Sequence, residues 1–169
     1  RARREGLRDF GACMSPHTAW LILQGLETLP LRMARHVENT RKVVAFLAAQ
    51  PMVARVGYPE LASHPSHALA AKLLPRGAGS VFAFDVAGSR TQGQAFIEAL
   101  RIFSHLTNVG DCRSLVTHPA STTHARMDDA ALAAAGIAAG TIRLSIGLED
   151  ADDLIDDLKR ALDAARKAQ

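Results

Sequence analysis

Cysteine is scarce in this chain: Cys13 and Cys112 are the only two, far apart and without CxxC spacing. We therefore expect neither a disulfide framework nor a metal site, and the cysteine usage fits a reducing, cytoplasmic location. Long apolar runs are also missing, since none approaches the roughly 18–20 residues that a membrane helix needs. The segment that follows Arg1 has no hydrophobic region of the signal-peptide type. The sequence predicts a protein with no membrane partner.

Aromatic residues and excess positive charge are also low, which argues against a nucleic-acid partner. Only 5% of the 169 residues are aromatic, and the formal net charge is +3. The first nine residues hold four arginines against Glu5 and Asp9, so little excess charge is left for the rest of the chain. A nucleic-acid-binding domain carries a basic face through its fold. The length and the apolar content of 48% instead suit one globular domain.

Helix signals dominate the first 50 residues. Ser15 followed by Pro16 is a typical helix start, because serine caps the first turn and proline lacks an N–H that would be unpaired there. Pro30 predicts a break or kink, and Pro51 predicts the end of a second helix. The apolar face of that second helix is expected to hold Leu31, Ala34, Val37, Arg41, Val44, Leu47 and Ala48.

The remaining chain alternates short strands with helices. Strands are predicted at Val53–Tyr58, Ser80–Val86, Leu115–Thr117 and Thr141–Ile146, and helices at Ser66–Leu74, Thr91–Arg101, after Asp128 and after Asp150. This pattern predicts an α+β fold with a three- or four-stranded, mostly antiparallel sheet covered by helices on one face. We assign residues 1–50 to a linking segment with a long kinked helix and residues 51–169 to an α/β domain, the whole forming one structural unit.

Candidate chemistry concentrates in a long polar stretch, Asn108–His124, and on one strand arginine. The hydroxyls of this stretch (Ser114, Ser121, Thr122 and Thr123) either bind an anion or satisfy turns and caps. Arg143 lies mid-strand between apolar neighbours, so it either pairs with an internal carboxylate or binds an anionic ligand. Cys112 has no demonstrable histidine partner, and the histidines lack metal-ligand spacing.

A set of motifs extends over essentially the whole sequence. Its members are Leu7–Pro16, Leu23–Met33, His36, Asn39, Tyr58–Pro59, Ser63–Pro65, Leu74–Gly79, Asn108–Asp111, Ser114–Leu115, His118–His124 and Arg143–Asp150. In these motifs, of which the last two are the most specific, the chain resembles the C-terminal domain of the Cys/Met-metabolism enzymes that depend on pyridoxal phosphate (PLP). Within the family it is most similar to the O-acetylhomoserine sulfhydrylases.

This resemblance implies the fold-type-I aminotransferase architecture and a reaction. The reaction is replacement of the acetate of O-acetylhomoserine by sulfide, which gives homocysteine in methionine and cysteine metabolism. The implied substrate-binding residues are Arg143 for the substrate carboxylate, assisted by Ser114 and Thr123. A small amino acid is the implied substrate, and a homo-oligomer, a tetramer in the family, is the implied assembly.

The resemblance also implies that the catalytic residues lie outside this segment. PLP enzymes hold the cofactor as a Schiff base on a lysine, yet none of the four lysines stands in the Ser-x-Thr-Lys context of the family. We therefore expect the PLP-binding domain to be missing upstream, and no PLP bound covalently to this fragment, which would be inactive alone. A related cystathionine synthase or lyase is one alternative. A free-standing, non-catalytic binding or assembly module is another.

Overall fold

A computed structural model describes residues 1–168 of the chain, which forms two compact units, Arg1–Met33 and the residues from Ala34 onward. Among the described residues, no helix is both long and apolar enough to cross a membrane. The helices are Arg8–Phe10 (α1, after a π-helical turn at Ala2–Leu7), Pro16–Glu27 (α2), Leu29–Ala48 (α3), His67–Leu73 (α4), Arg90–Ala99 (α5), Asp129–Ala134 (α6) and Ala151–Lys167 (α7). The strands are Val53–Gly57 (β1), Val81–Val86 (β2), Ser104–His105 (β3), Leu115–Thr117 (β4) and Thr141–Ser145 (β5).

The first unit is built around α2, whose start is the one that the sequence predicted. The Ser15 hydroxyl accepts the Thr18 amide at 3.1 Å, and Pro16 occupies the first turn. The helix ends at Glu27, just before Pro30, so the predicted break is confirmed. None of its residues is buried, although several are large and apolar: Trp20, Leu21, Ile22, Leu23 and Leu26. These side chains give α2 an exposed apolar surface.

The buried face of α3 differs from the one that the sequence predicted. Leu31 is 75% exposed and Arg41 is also exposed, whereas the buried residues are His36, Val37, Asn39, Thr40, Val43, Val44 and Leu47. The face is rotated because three polar side chains are buried together with the apolar ones. The last three of these residues join the main core, so α3 from Ala34 on belongs to the unit that holds the sheet. The boundary that we set at residue 50 differs from this division for that reason.

The sheet has five strands in the order β1-β2-β5-β4-β3, so the predicted number of three or four was too low. Its pairs are antiparallel except β3 with β4, which run parallel. The strand that prediction missed is β3, because it is two residues long and shows no measurable alternation. The α+β class and the mostly antiparallel pairing are confirmed.

The alternation predicted for β5 decides what each face of the sheet carries. Ile142 and Leu144 are fully buried in the core with α5 and α7, whereas Arg143 lies on the other face. The register places Ala83 of β2 and Thr117 of β4 on either side of Arg143. One face is therefore apolar and helix-covered, and the other presents an arginine flanked by two small residues.

A buried carboxylate connects α7 to the end of α5. Asp157, 1% exposed, accepts the backbone N–H groups of Arg101, at 3.0 Å, and Ile102, at 2.8 Å. The Arg160 guanidinium also donates to it. Asp157 therefore satisfies two backbone donors that follow α5.

Candidate functional site

Arg143 has no carboxylate partner within residues 1–168. The only hydrogen bond that its side chain makes in that range is weak, from Nη2 to the carbonyl oxygen of Asn108 at 3.4 Å. The nearby Asp111 pairs with Arg113 at 3.3 Å, and this guanidinium lowers the pKa of the Asp111 carboxyl. Of the two roles that the sequence left open for Arg143, an internal salt bridge is therefore not the one observed. The guanidinium remains able to bind an anion.

The segment Leu106–Asn108 lines the same part of the sheet. The Thr117 hydroxyl lies 3.0 Å from that of Thr107 and donates to the Leu106 carbonyl at 3.4 Å. Since Thr117 pairs with Arg143 in the register, this segment and the arginine border one surface. The surface offers one guanidinium, a group suited to a carboxylate, whereas the two threonine hydroxyls bond to each other and to the Leu106 carbonyl.

Ser114 lies immediately before β4 and is fully buried. Its backbone N–H donates to Glu149 Oε1 at 2.6 Å, and its hydroxyl donates to Glu149 Oε2 at 2.9 Å. The hydroxyl also accepts the Gly147 amide at 2.8 Å. In this arrangement Ser114 makes internal contacts with the turn that follows β5.

Thr123 lies in the loop after a 3₁₀ turn at Pro119–Ser121 and is exposed. Among residues 1–168, its hydroxyl bonds only to Nδ1 of the adjacent His124, at 2.8 Å. The loop itself is held in place by Arg90, which donates to the carbonyls of Ala120 and Met127, each at 2.6 Å. The Thr123 hydroxyl therefore sits on an ordered surface where a ligand can reach it.

The three predicted site residues thus occupy different environments. Within the described range, no hydrogen bond joins any two of Arg143, Ser114 and Thr123. The Ser121 hydroxyl bonds to His118 Nδ1, and the Thr122 hydroxyl donates to the His118 carbonyl. Both bonds fit the alternative in which the hydroxyls of this stretch satisfy turns and caps. That the three residues share one cleft remains a prediction.

His118 is fully buried and shapes the loop from inside. Its Nε2 lies 2.8 Å from the Ala139 carbonyl, so Nε2 carries the proton and Nδ1 accepts from the Ser121 hydroxyl at 2.8 Å. Burial lowers the pKa of His118 below its ordinary value, and the nearby Arg90 charge adds to this effect. The neutral ring is therefore the form that the folded loop requires.

We expect the unfolding free energy to fall as the pH drops below about 6.5, the ordinary histidine value. A pKa that is lower in the folded state means that the unfolded chain binds more protons in this range, so stability is present above that pH and lost as the pH falls through the folded-state pKa. Urea unfolding at pH 7.5 and pH 5 should show a smaller loss for His118→Gln than for the unmodified chain. His17→Gln, at an exposed histidine, should keep the full loss. Equal losses in all three proteins would contradict this role of His118.

The lysines of this chain do not fit a Schiff-base site. Lys42 lies on the surface of α3 and pairs with Glu38 at 3.0 Å. The other three, Lys72, Lys159 and Lys167, are also exposed on helices. A Schiff-base lysine works in a desolvated pocket, whereas each of these four lysines is exposed. Among the described residues, no three or more histidine, cysteine, aspartate or glutamate side chains are grouped so that they could hold a metal ion.

No role was predicted from the sequence for three residues of the matching motifs: Glu149, His36 and Asn39. His36 Nδ1 donates to the Ile146 carbonyl at 2.6 Å, and Asn39 Nδ2 donates to the Gly147 carbonyl at 3.1 Å. Both side chains belong to α3 and hold the turn that positions Glu149. Polar residues at helical spacing on the buried side of α3 were the available signal, but an apolar pattern search passes over them.

The chain matches a protein-family model over residues 2–163, and that family is described as Cys/Met metabolism PLP-dependent enzyme. O-acetyl-L-homoserine sulfhydrylase of Leptospira meyeri is 46% identical over 96% of this chain and 37% of its own length. L-methionine gamma-lyase of Pseudomonas putida is 44% identical over 98% of this chain and 42% of its own length. The chain therefore spans less than half of these relatives.

Solved structures resemble the chain to a similar degree. A putative O-acetylhomoserine (thiol)-lyase of Campylobacter jejuni, which contains N'-pyridoxyl-lysine-5'-monophosphate, has a TM-score of 0.86 and 43% identity. The match covers 96% of this chain and 39% of that one. Cystathionine gamma synthase of Xanthomonas oryzae pv. oryzae, in complex with cystathionine, has a TM-score of 0.85 and 42% identity over 95% and 41% of the two chains.

Proposed function

The chain belongs to the Cys/Met-metabolism family of PLP-dependent enzymes, and from this premise we propose that it is the substrate-recognition domain of a sulfhydrylase. The full-length enzyme would convert O-acetylhomoserine and sulfide to homocysteine and acetate in methionine and cysteine metabolism. The similarity to sulfhydrylases of several organisms, each 46% identical, supports this reaction.

One observation carries the proposal: Arg143 lies on the sheet face away from the helices without a carboxylate partner in the described residues. A planar guanidinium grips a carboxylate with two parallel hydrogen bonds. We assign Arg143 to the carboxylate of the amino-acid substrate, with Ser114 and Thr123 assisting. Holding the carboxylate would orient the substrate Cα–H for proton transfer.

The proton transfer itself is assigned to a part of the protein outside this chain. The chain covers 37% and 38% of two sulfhydrylase relatives, and its own lysines are exposed on helices. The exposed apolar surface of α2 supports a contact with a large partner, because Trp20, Leu23 and Leu26 are each more than half exposed. That partner is the missing PLP-binding domain in our proposal. We further propose that the full-length enzyme is a homo-tetramer in the cytoplasm.

The fragment alone is expected to bind no PLP covalently at stoichiometric level. Incubation with PLP, reduction with borohydride and intact-mass spectrometry would test this, since reduction traps any Schiff base. The full-length enzyme treated in the same way is the positive control and should carry one pyridoxyl group per chain. A single lysine of the fragment modified to completion would contradict the assignment.

The reaction is tested by assaying the full-length enzyme with O-acetylhomoserine and either sulfide or cysteine, and with methionine or cystathionine alone. Preference for sulfide supports the sulfhydrylase. Preference for cysteine, or cleavage of the amino acids alone, favours the second candidate, a cystathionine synthase or lyase. The second candidate has support of its own, because the lyase and synthase relatives are 44% and 42% identical.

A further inference from the structure

Both hydrogen-bond donors of Ser114 are committed to one carboxylate. Glu149 accepts the backbone N–H at 2.6 Å through Oε1 and the hydroxyl at 2.9 Å through Oε2. Serine has only these two donors. A substrate carboxylate needs donors, and in this arrangement Ser114 has none left to offer it.

Glu149 is itself held from the other side by α3. Its backbone carbonyl accepts Asn39 Nδ2 at 2.8 Å and a weaker contact from Arg35 Nη2 at 3.4 Å. The preceding turn residue Ile146 is held by His36, as described above. Glu149 therefore sits on a turn whose backbone is anchored to a long helix, which leaves its carboxylate little freedom.

The segment before Ser114 packs directly onto the same turn. The Leu148 amide donates to the Cys112 carbonyl at 2.8 Å. A Cβ at Gly147 would collide with the Cys112 carbonyl oxygen, the Arg113 backbone and the Glu149 carboxylate. The turn and this segment thus meet backbone to backbone, and no side chain separates them.

The far end of this segment reaches the proposed carboxylate site. Asn108 lies six residues before Ser114, and its carbonyl is the group that contacts Arg143. Fixing Ser114 therefore fixes one end of the 108–114 loop, whose other end borders the guanidinium. The charge on Glu149 has no cationic partner among residues 1–168, so the Ser114 donors are its main compensation.

We propose that Glu149 is a positioning residue for substrate recognition, and that Ser114 acts through it. The Glu149 carboxylate clamps Ser114, the clamp fixes the 108–114 loop, and the loop sets the entrance to Arg143. This inference rests on the proposed function, because the substrate carboxylate at Arg143 is part of that proposal. It changes the role of Ser114 from a direct ligand of the substrate to a structural partner of Glu149.

The test is a double-mutant cycle in the full-length enzyme, with kcat and KM for O-acetylhomoserine measured at saturating sulfide. Glu149→Gln and Ser114→Ala should each raise KM about tenfold while kcat changes by less than about threefold. Both substitutions break the same contact between Glu149 and Ser114. The KM of the double variant should therefore exceed that of the more strongly affected single variant by no more than about twofold. Glu98→Gln, which removes an exposed carboxylate on α5, should leave KM unchanged.

Thermal unfolding and PLP absorbance identify variants that fail to fold, and Ser114→Ala keeps the test usable if Glu149→Gln unfolds. In that case Ser114→Thr is compared with Ser114→Ala: because threonine keeps the hydroxyl donor, the inference expects KM to be raised in Ser114→Ala and to stay near that of the unmodified enzyme in Ser114→Thr. A KM raised equally in both variants would count against the inference. A lower KM in Glu149→Gln would mean that Glu149 competes with the substrate for Ser114. Additive losses in the cycle would mean that Ser114 touches the substrate. Either result overturns the inference.

Arg143→Ala separates failure of the inference from failure of the proposed function. If Arg143→Ala leaves KM and kcat unchanged, the carboxylate site is not at Arg143 and the proposed function of this surface fails. If Arg143→Ala raises KM strongly but Glu149→Gln does not, only the role of Glu149 fails.

Discussion

Arg143→Ala should lower kcat/KM of the full-length enzyme for its amino-acid substrate by about a hundredfold or more. Charge-assisted hydrogen bonds contribute roughly 1.5–3 kcal/mol each, and about 1.4 kcal/mol corresponds to a factor of ten. Arg143 has no internal carboxylate among the described residues, so its removal breaks no salt bridge of the fold there. Arg143→Lys should lose about tenfold, because an ammonium group cannot make two parallel hydrogen bonds to a carboxylate.

The loss should divide between KM and kcat in a recognisable way. Most of it should appear in KM, because the carboxylate is gripped in both ground and transition states. A smaller part should appear in kcat, because a loosely held substrate presents its Cα–H poorly. Arg76→Ala removes an exposed guanidinium elsewhere and should change neither constant. An Arg143→Ala enzyme that folds, keeps its PLP absorbance and retains normal kcat/KM would rule out the assigned role.

Asp157→Ala is expected to destabilise the fold by about 3 kcal/mol. The substitution leaves the backbone N–H groups of Arg101 and Ile102 without their acceptor, in a region where the carboxylate is 1% exposed. It also leaves Arg160 without the carboxylate to which its guanidinium donates. Urea unfolding followed by far-UV circular dichroism measures the change.

The neighbouring Asp156 provides a matched control for this substitution. It lies one residue earlier on α7 and is exposed, so Asp156→Ala should stay within about 0.5 kcal/mol of the unmodified chain. Comparable losses in the two variants would show that general charge on α7, and not the bonds to Arg101 and Ile102, stabilises this region.

Local signals predicted most of the elements correctly because their causes are local. Ser15 caps α2 through Thr18, Asp128 caps α6 through the Ala131 amide, and Asp150 caps α7 through the Asp152 amide. Each of these bonds spans two or three residues, so the sequence window that contains the cap also contains its partner. The family assignment was equally accessible, since its motifs are contiguous stretches of sequence.

The candidate site was predictable only as a set of residues. The motifs pointed to Arg143, Ser114 and Thr123, but the sequence left open whether Arg143 pairs with an internal carboxylate. The structure shows Asp111 paired with Arg113 instead. Which carboxylate meets which arginine depends on how the loop folds over the sheet, and that loop has no periodicity from which to infer it.

The sequence by itself determined the α+β class, the helix starts, the alternation of β5 and the family, because each depends on neighbouring residues or on contiguous motifs. Only the tertiary structure decided that His36 and Asn39 face inward and that Glu149 clamps Ser114. Those contacts join residues 35 to 110 positions apart. Their buried polar groups need partners, and folding alone determines which distant backbone or side-chain atoms come within reach.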